Sequence, residues 1–244
     1  MSEARLTVTS ARTQPLNCIV PLKAGSTFLR NLIWVLDHDT PYSSDDKAFP
    51  HALHSQDLTH EELAETVSFF VIRDPIARFF SLYFDKVIGK PENRFPFITD
   101  ILSERRVFHD GEGLTPEQHR ENCMSLLGFI SARLRGLTKG PINPHWNKQI
   151  ARVYPAIRFG LKPVLLEKLE PQLLQISAGR VEGLAESFTM VKSRNRSPRP
   201  IAVDELITPE IYQKICSLYP EDIQLYDLVK TGWEVLGHPP EIEL

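Results

Sequence analysis

Three apolar runs of strand length punctuate the chain: Leu16 to Pro21 (LNCIVP), Val67 to Ile72 (VSFFVI) and Pro163 to Glu167 (PVLLE). The second is continuously apolar, β-branched and aromatic, the pattern of a strand covered on both faces. Between the runs, apolar residues recur at helical spacing. Phe28, Leu29, Leu32, Ile33 and Leu36 fall mostly on one side of a helix predicted over 27–36. Asp74-Pro75 supplies an N-cap followed by proline at the first helical position, and Ile76, Phe79, Phe80, Tyr83 and Val87 continue that helix. Thr115-Pro116-Glu117-Gln118 is a capping box that starts a helix reaching about Leu134. A helix near 169–176 follows the third strand, and Thr208-Pro209-Glu210 opens a last one carrying Ile211, Ile215 and Leu218. Strands alternating with helices predict a three-layer α/β domain with a central parallel sheet. Residues 40–60 are polar and read as loop with at most a short strand. The stretch of about 90–150 reads as a helical insertion within a single domain over 1–244.

Composition narrows the classes. With 244 residues and 42% hydrophobic content the chain can bury one sizeable core. A formal net charge of −3 gives no basic footprint of the kind nucleic-acid binding needs. Cys18, Cys123 and Cys216 lie far apart with no metal-type spacing, so no disulfide framework is expected and a reducing compartment is the simpler reading. The first 17 residues hold no signal-peptide core, and no apolar run approaches the roughly 18 residues of a membrane helix. The expectation is a soluble, cytoplasmic protein.

The loop Leu22-Lys23-Ala24-Gly25-Ser26-Thr27 carries the most chemistry. Between a strand and a helix, backbone N–H groups converge and the helix N-terminus adds partial positive charge. Lys23 adds a full charge, and Ser26 and Thr27 add hydroxyls, which together suit one phosphate-sized anion. A nucleotide triphosphatase loop needs its lysine after the second glycine. Here lysine precedes the only glycine of a shorter loop, which argues against a metal-bound triphosphate. Arg73 follows the second strand at the end where open α/β sheets bind ligands, and its planar fork suits phosphate. Ser81 lies two turns further on. Asp37, His38 and Asp39 occupy adjacent helix positions that do not converge on one ion, so they read as solvated.

The two motifs in this order resemble the 5′-phosphosulfate loop and the 3′-phosphate motif (Arg-Asp-Pro-x-x-Arg-x-x-Ser-x-Tyr) of the sulfotransferases, in their carbohydrate-type branch. Arg73, Asp74, Pro75, Arg78, Ser81 and Tyr83 fill each fixed position. Asn143 to Gln149 (NPHWNKQ) is similar to the His-Trp-x-x-Gln-type segment of that branch, and Lys192 to Pro200, with four cations in nine residues, to its basic loop. The resemblance runs from about Leu16 to about Tyr226.

It implies a P-loop-type fold, 3′-phosphoadenosine 5′-phosphosulfate as donor, no metal, and a carbohydrate or small-molecule hydroxyl acceptor. Lys23 would neutralise charge on the leaving group. Backbone groups of Ala24, Gly25, Ser26, Thr27 and Phe28 would hold the 5′-phosphate, with Arg73 and Ser81 on the 3′-phosphate and Lys192 and Arg194 in a flap over the phosphates. The general base is expected at His51 or His54, ahead of His145 and of a carboxylate such as Glu167. Departures from Golgi relatives, which carry a membrane anchor and paired cysteines, weaken any link to glycosaminoglycan acceptors. A small-molecule kinase and a non-catalytic nucleotide- or polysaccharide-binding member are the competing readings.

Overall fold

Strand β4 (Val67–Ile72) is buried along its whole length, as its unbroken apolar sequence requires. It lies in a five-stranded sheet with β1 (Leu6–Ser10), β2 (Leu16–Ile19), β3 (Ser55–Leu58) and β5 (Lys162–Leu165), in the order β3-β1-β2-β4-β5. Strands β2, β4 and β5 run parallel, with Ile19 opposite Phe70 and Ile72 opposite Leu165. Strand β1 is antiparallel to both of its neighbours. The observed class is thus the predicted one, α/β with helices flanking a central sheet, but the sheet is mixed. The antiparallel side escapes a sequence reading for a physical reason. Strand β1 (LTVTS) buries only alternate residues, and edge strand β3 (SQDL) carries almost no apolar signal. Polar residues on an edge also guard it against pairing with another chain.

The computed structural model describes residues 3–42, 49–95, 98, 102, 108–111, 113–139, 142–191 and 200–242. Contacts divide the chain into two compact units: Met1–Arg73, Gln149–Asn195 and Gln224–Leu244 form the first, Asp74–Lys148 and Arg196–Ile223 the second. The first unit holds the sheet. Helix α1 (Ser26–His38) buries Leu29, Leu32, Ile33, Val35 and Leu36, and ends where Asp39 turns left-handed. Short helices α2 (His51–His54) and α3 (His60–Ala64) flank β3, the one short strand allowed for over 40–60; the helical turn at His51–His54 was not expected there. The helix after β5 is Leu169–Ser177, and Trp233 donates from its indole nitrogen to the Pro163 carbonyl at 3.0 Å.

In the second unit, Asp74 caps α4 (Pro75–Leu82) by accepting from the Ile76 amide at 2.9 Å. One π-helical turn, Tyr83–Val87, extends it. The capping box at Thr115 and Gln118 is formed, and its helix runs Pro116–Leu134. Phe79, Phe80, Tyr83, Leu126, Ile130, Trp146, Ile211 and Ile215 build this unit's core. The helix predicted as the last, Pro209–Leu218, is followed by another, Pro220–Leu236.

One reading is corrected outright. Asp37 is not solvated; its side chain is 2% exposed and lies 3.4 Å from Nδ1 of His54. Its carboxylate accepts from the backbone amides of Arg12 (2.8 Å) and Thr13 (2.9 Å) and from the Thr13 hydroxyl (2.9 Å). It therefore ties the β1–β2 turn to the end of α1. Asp37→Ala leaves those donors without their charged acceptor and is expected to cost about 2 kcal/mol. Urea unfolding checks this through a lower midpoint at an unchanged slope.

Candidate functional site

Parallel neighbours end at the same edge of a sheet, so the segments leaving β2 and β4 emerge side by side. From β2 the chain passes through Val20, Pro21 and Leu22 into two left-handed residues, Lys23 (φ 65°) and Gly25 (φ 87°), before α1 begins at Ser26. A non-glycine residue in that conformation costs about 1–2 kcal/mol. Two features hold Lys23 there. Ala24, fully buried, donates its amide to the Pro21 carbonyl at 3.1 Å. Arg73, the residue after β4, donates from Nη1 to the Lys23 carbonyl at 2.7 Å. A hydrogen bond from a charged donor contributes about 1.5–3 kcal/mol, enough to offset the strain.

Gly25 is the N-cap of α1, so no side chain caps the first turn. The leading amides of any helix lack intrahelical acceptors and face outward along its axis. Ser26 and Phe28 are half-buried, Thr27 is exposed, and the Phe28 ring packs against Phe188 with centroids 5.8 Å apart. A cradle of amides, a lysine and nearby hydroxyls is a site for a tetrahedral anion. Gly25 has a second reason to be glycine: a Cβ there would lie 2.5 Å from Cδ1 of Leu166, just beyond β5.

Arg73 is fixed from the other side by Gln149, a fully buried residue at the start of helix Gln149–Arg158. The Gln149 side chain accepts from the Arg73 amide (3.1 Å) and donates to the Arg73 carbonyl (2.8 Å). It continues the ladder one residue beyond β4, as a neighbouring strand would. Gln149 was legible as part of the segment 143–149, but nothing in its spacing disclosed this pairing.

The two histidines expected to contain a base fall in different environments. His54 is buried, with Nδ1 3.1 Å from the Ser10 carbonyl and close to Asp37. Its ring packs against Phe49 and Trp34 with centroids 5.0 and 6.2 Å apart. His51, one turn earlier, is exposed and stands edge-on to Phe49 at 5.3 Å. Partial burial holds its imidazole below the usual value, with Arg30 and His54 pushing the same way. Arg30 leans over the Phe49 ring at 5.8 Å and is itself lowered chiefly by burial. It lies on α1 one turn after Ser26, a position that sequence reasoning passed over. Cys18 is unsuited to nucleophilic work, since burial pushes its thiol up to about 12.

The remaining motif residues belong to the second unit. Arg78 is buried, donates to the Pro144 and His145 carbonyls at 3.3 and 3.4 Å, and lies in the field of Asp222. Tyr83 is buried and hydrogen-bonds Nδ1 of His119 at 2.7 Å. Asp74 and Pro75 start α4. These four positions of the motif thus shape the fold around it. Ser81 is half-buried on α4. Nδ1 of His145 pairs with Asn143 Oδ1 at 2.8 Å, and Glu167 is exposed in the first unit just after β5. Lys192 and Arg194 lie outside the described residues.

A strand, a lysine-bearing left-handed loop and a helix, with an arginine following the adjacent parallel strand, make up the candidate site of this α/β protein. The family model described as the sulfotransferase family matches residues 6–228. The chain belongs to that family, a family of transferases. No curated protein and no solved structure matches it. Among the described residues no cluster of metal-ligating side chains occurs, and no helix is long and apolar enough to cross a membrane.

Gly25→Ala places a side chain where φ is 87° and where Leu166 must move. The expected result is a stability loss of about 1–2 kcal/mol and a larger proportional loss of anion affinity. Urea unfolding alongside nucleotide titration measures both.

Proposed function

We propose that this protein transfers a sulfuryl group from 3′-phosphoadenosine 5′-phosphosulfate to a hydroxyl of a carbohydrate or small-molecule acceptor. The observation that carries the reading is the Lys23–Gly25 loop at the mouth of α1, braced by Arg73 from the next parallel strand. The loop suits a single 5′-phosphate, and an arginine beside it suits a separate 3′-phosphate. Family membership supplies the reaction class.

The chemistry follows from these assignments. The acceptor oxygen attacks sulfur in line, forming an O–S bond while the bond from sulfur to the bridging oxygen of the 5′-phosphate breaks. Both electrons of that bond leave with the bridging oxygen, where negative charge grows. Lys23 neutralises that charge, and the amides of Gly25, Ser26, Thr27 and Phe28 hold the 5′-phosphate. Arg73 holds the 3′-phosphate by charge-assisted hydrogen bonds, and the motif assigns Ser81 to the same group. Ala24 contributes through its buried side chain, which seats the loop. Lys192 and Arg194 are proposed as further cations for the phosphates.

His51 is the better-placed base. It is exposed, whereas His54 is enclosed with Nδ1 engaged. An imidazole held below its usual value is neutral at pH 7 and ready to accept the hydroxyl proton.

Nucleotide preference tests the reading first. At ~100 times its dissociation constant, 3′-phosphoadenosine 5′-phosphate should add roughly 2.7 kcal/mol of stability. ATP with Mg²⁺ at the same concentration should add less, and a larger thermal shift with ATP would sink the proposal.

Lys23→Ala should lower turnover more than product-nucleotide affinity, because its charge matters most as the leaving group forms. His51→Ala should cost ~10²–10⁴-fold in turnover with the nucleotide still bound. Because protonation disables a base, wild-type activity should fall on the acid side, with its midpoint below the ordinary imidazole value of 6.5. A pH–rate profile with no acid limb in the wild type would remove His51 from the role.

A further inference from the structure

The Lys23–Gly25 loop and Arg73, the residue after β4, are joined by a hydrogen bond from side chain to backbone.

 In the loop, Lys23 is held left-handed with its carbonyl turned towards β4, and Nη1 of Arg73 meets that carbonyl at 2.7 Å. The Arg73 backbone is held in place, because the buried Gln149 side chain pairs with both its amide (3.1 Å) and its carbonyl (2.8 Å). All three residues belong to the first unit. A guanidinium carries five N–H donors in a rigid fork, so one arginine can serve more than one acceptor.

We propose that Arg73 is a positioning residue for the 5′-phosphate loop as well as a ligand of the 3′-phosphate, and that Gln149 is the clamp that sets it in place. The inference rests on the reading that the loop holds the donor's 5′-phosphate. Its physical content is preorganisation. The loop amides and Lys23 bind an anion well only in the conformation that the Arg73 bond maintains, so removing Arg73 weakens a phosphate that Arg73 never touches. A purely 3′-phosphate ligand has no such effect.

Two probes separate these roles by calorimetric titration. Adenosine 5′-phosphate has only the 5′-phosphate, and 3′-phosphoadenosine 5′-phosphate has both. In Arg73→Met, affinity for adenosine 5′-phosphate is expected to fall about tenfold or more, the scale of one charge-assisted hydrogen bond. Affinity for the bisphosphate should fall further. Gln149→Met, which removes the clamp but no charge, should weaken adenosine 5′-phosphate in the same direction by a smaller factor. Thermal midpoints of the variants check that each is folded, and Arg73→Met carries the test if the buried Gln149 variant is not.

An unchanged adenosine 5′-phosphate affinity in Arg73→Met, with only the bisphosphate weakened, overturns the proposal by confining Arg73 to the 3′-phosphate. Full affinity for both probes in a folded Gln149→Met overturns the clamp. A wild-type chain that binds the bisphosphate but not adenosine 5′-phosphate also overturns it, since the loop then contributes no affinity to preserve. Failure of wild type to bind either probe sinks the nucleotide reading itself and is thereby told apart from the other outcomes.

Discussion

Parallel pairing of β2 with β4 is the constraint on which the candidate site depends. Strands in register about 4.8 Å apart, pointing the same way, must release their following residues side by side. That alone brings Lys23 within reach of Arg73, 50 residues later in the chain. Strand β1, antiparallel to β2, cannot do this, because its following residues leave the sheet at the opposite edge. VSFFVI is buried on both faces, so any shift of this strand would have to repack the core on both sides of the sheet.

Within that frame, strain and compensation are local. Left-handed backbone at Lys23 and Gly25 turns the chain sharply enough for α1 to start at once. The Arg73 bond and the buried Ala24 side chain hold this arrangement before any ligand arrives. Preorganisation of this kind spares binding the cost of ordering the loop. Around His51 a different balance holds: a nearby guanidinium and partial burial both disfavour the imidazolium. Arg30 thus contributes to the field at a candidate base without carrying an obvious motif of its own.

The motif from Arg73 to Tyr83 illustrates how one stretch of sequence serves two purposes. Its first residue faces the loop, while Asp74 and Pro75 start a helix, and Arg78 and Tyr83 satisfy buried partners in the second unit. A pattern of fixed residue types therefore marks architecture as much as ligand contact. The pair His51 and His54 divides similarly. Residue type and position made them near-equal candidates with a slight lean to His51, but His54 is enclosed by Ser10, Asp37, Phe49 and Trp34 and His51 is open.

What the chain's linear pattern determined was local: the three parallel strands, α1, the proline-started helix α4, the capping box at Thr115, and the loop chemistry of Lys23 to Thr27. Each depends on residues within a turn or two of one another, so periodicity and capping rules reach them. Strand β1 was not legible and β3 only as an allowed short strand, because both carry few apolar residues and gain hydrogen bonds from partners elsewhere in the chain. The burial of Asp37, the clamp of Gln149 on Arg73 and the enclosure of His54 were decided only by tertiary structure. The Asp37–His54, Gln149–Arg73 and His54–Ser10 contacts join residues at least 17 apart, and a side chain's polar partner is set by where the backbone is carried, which no local pattern encodes.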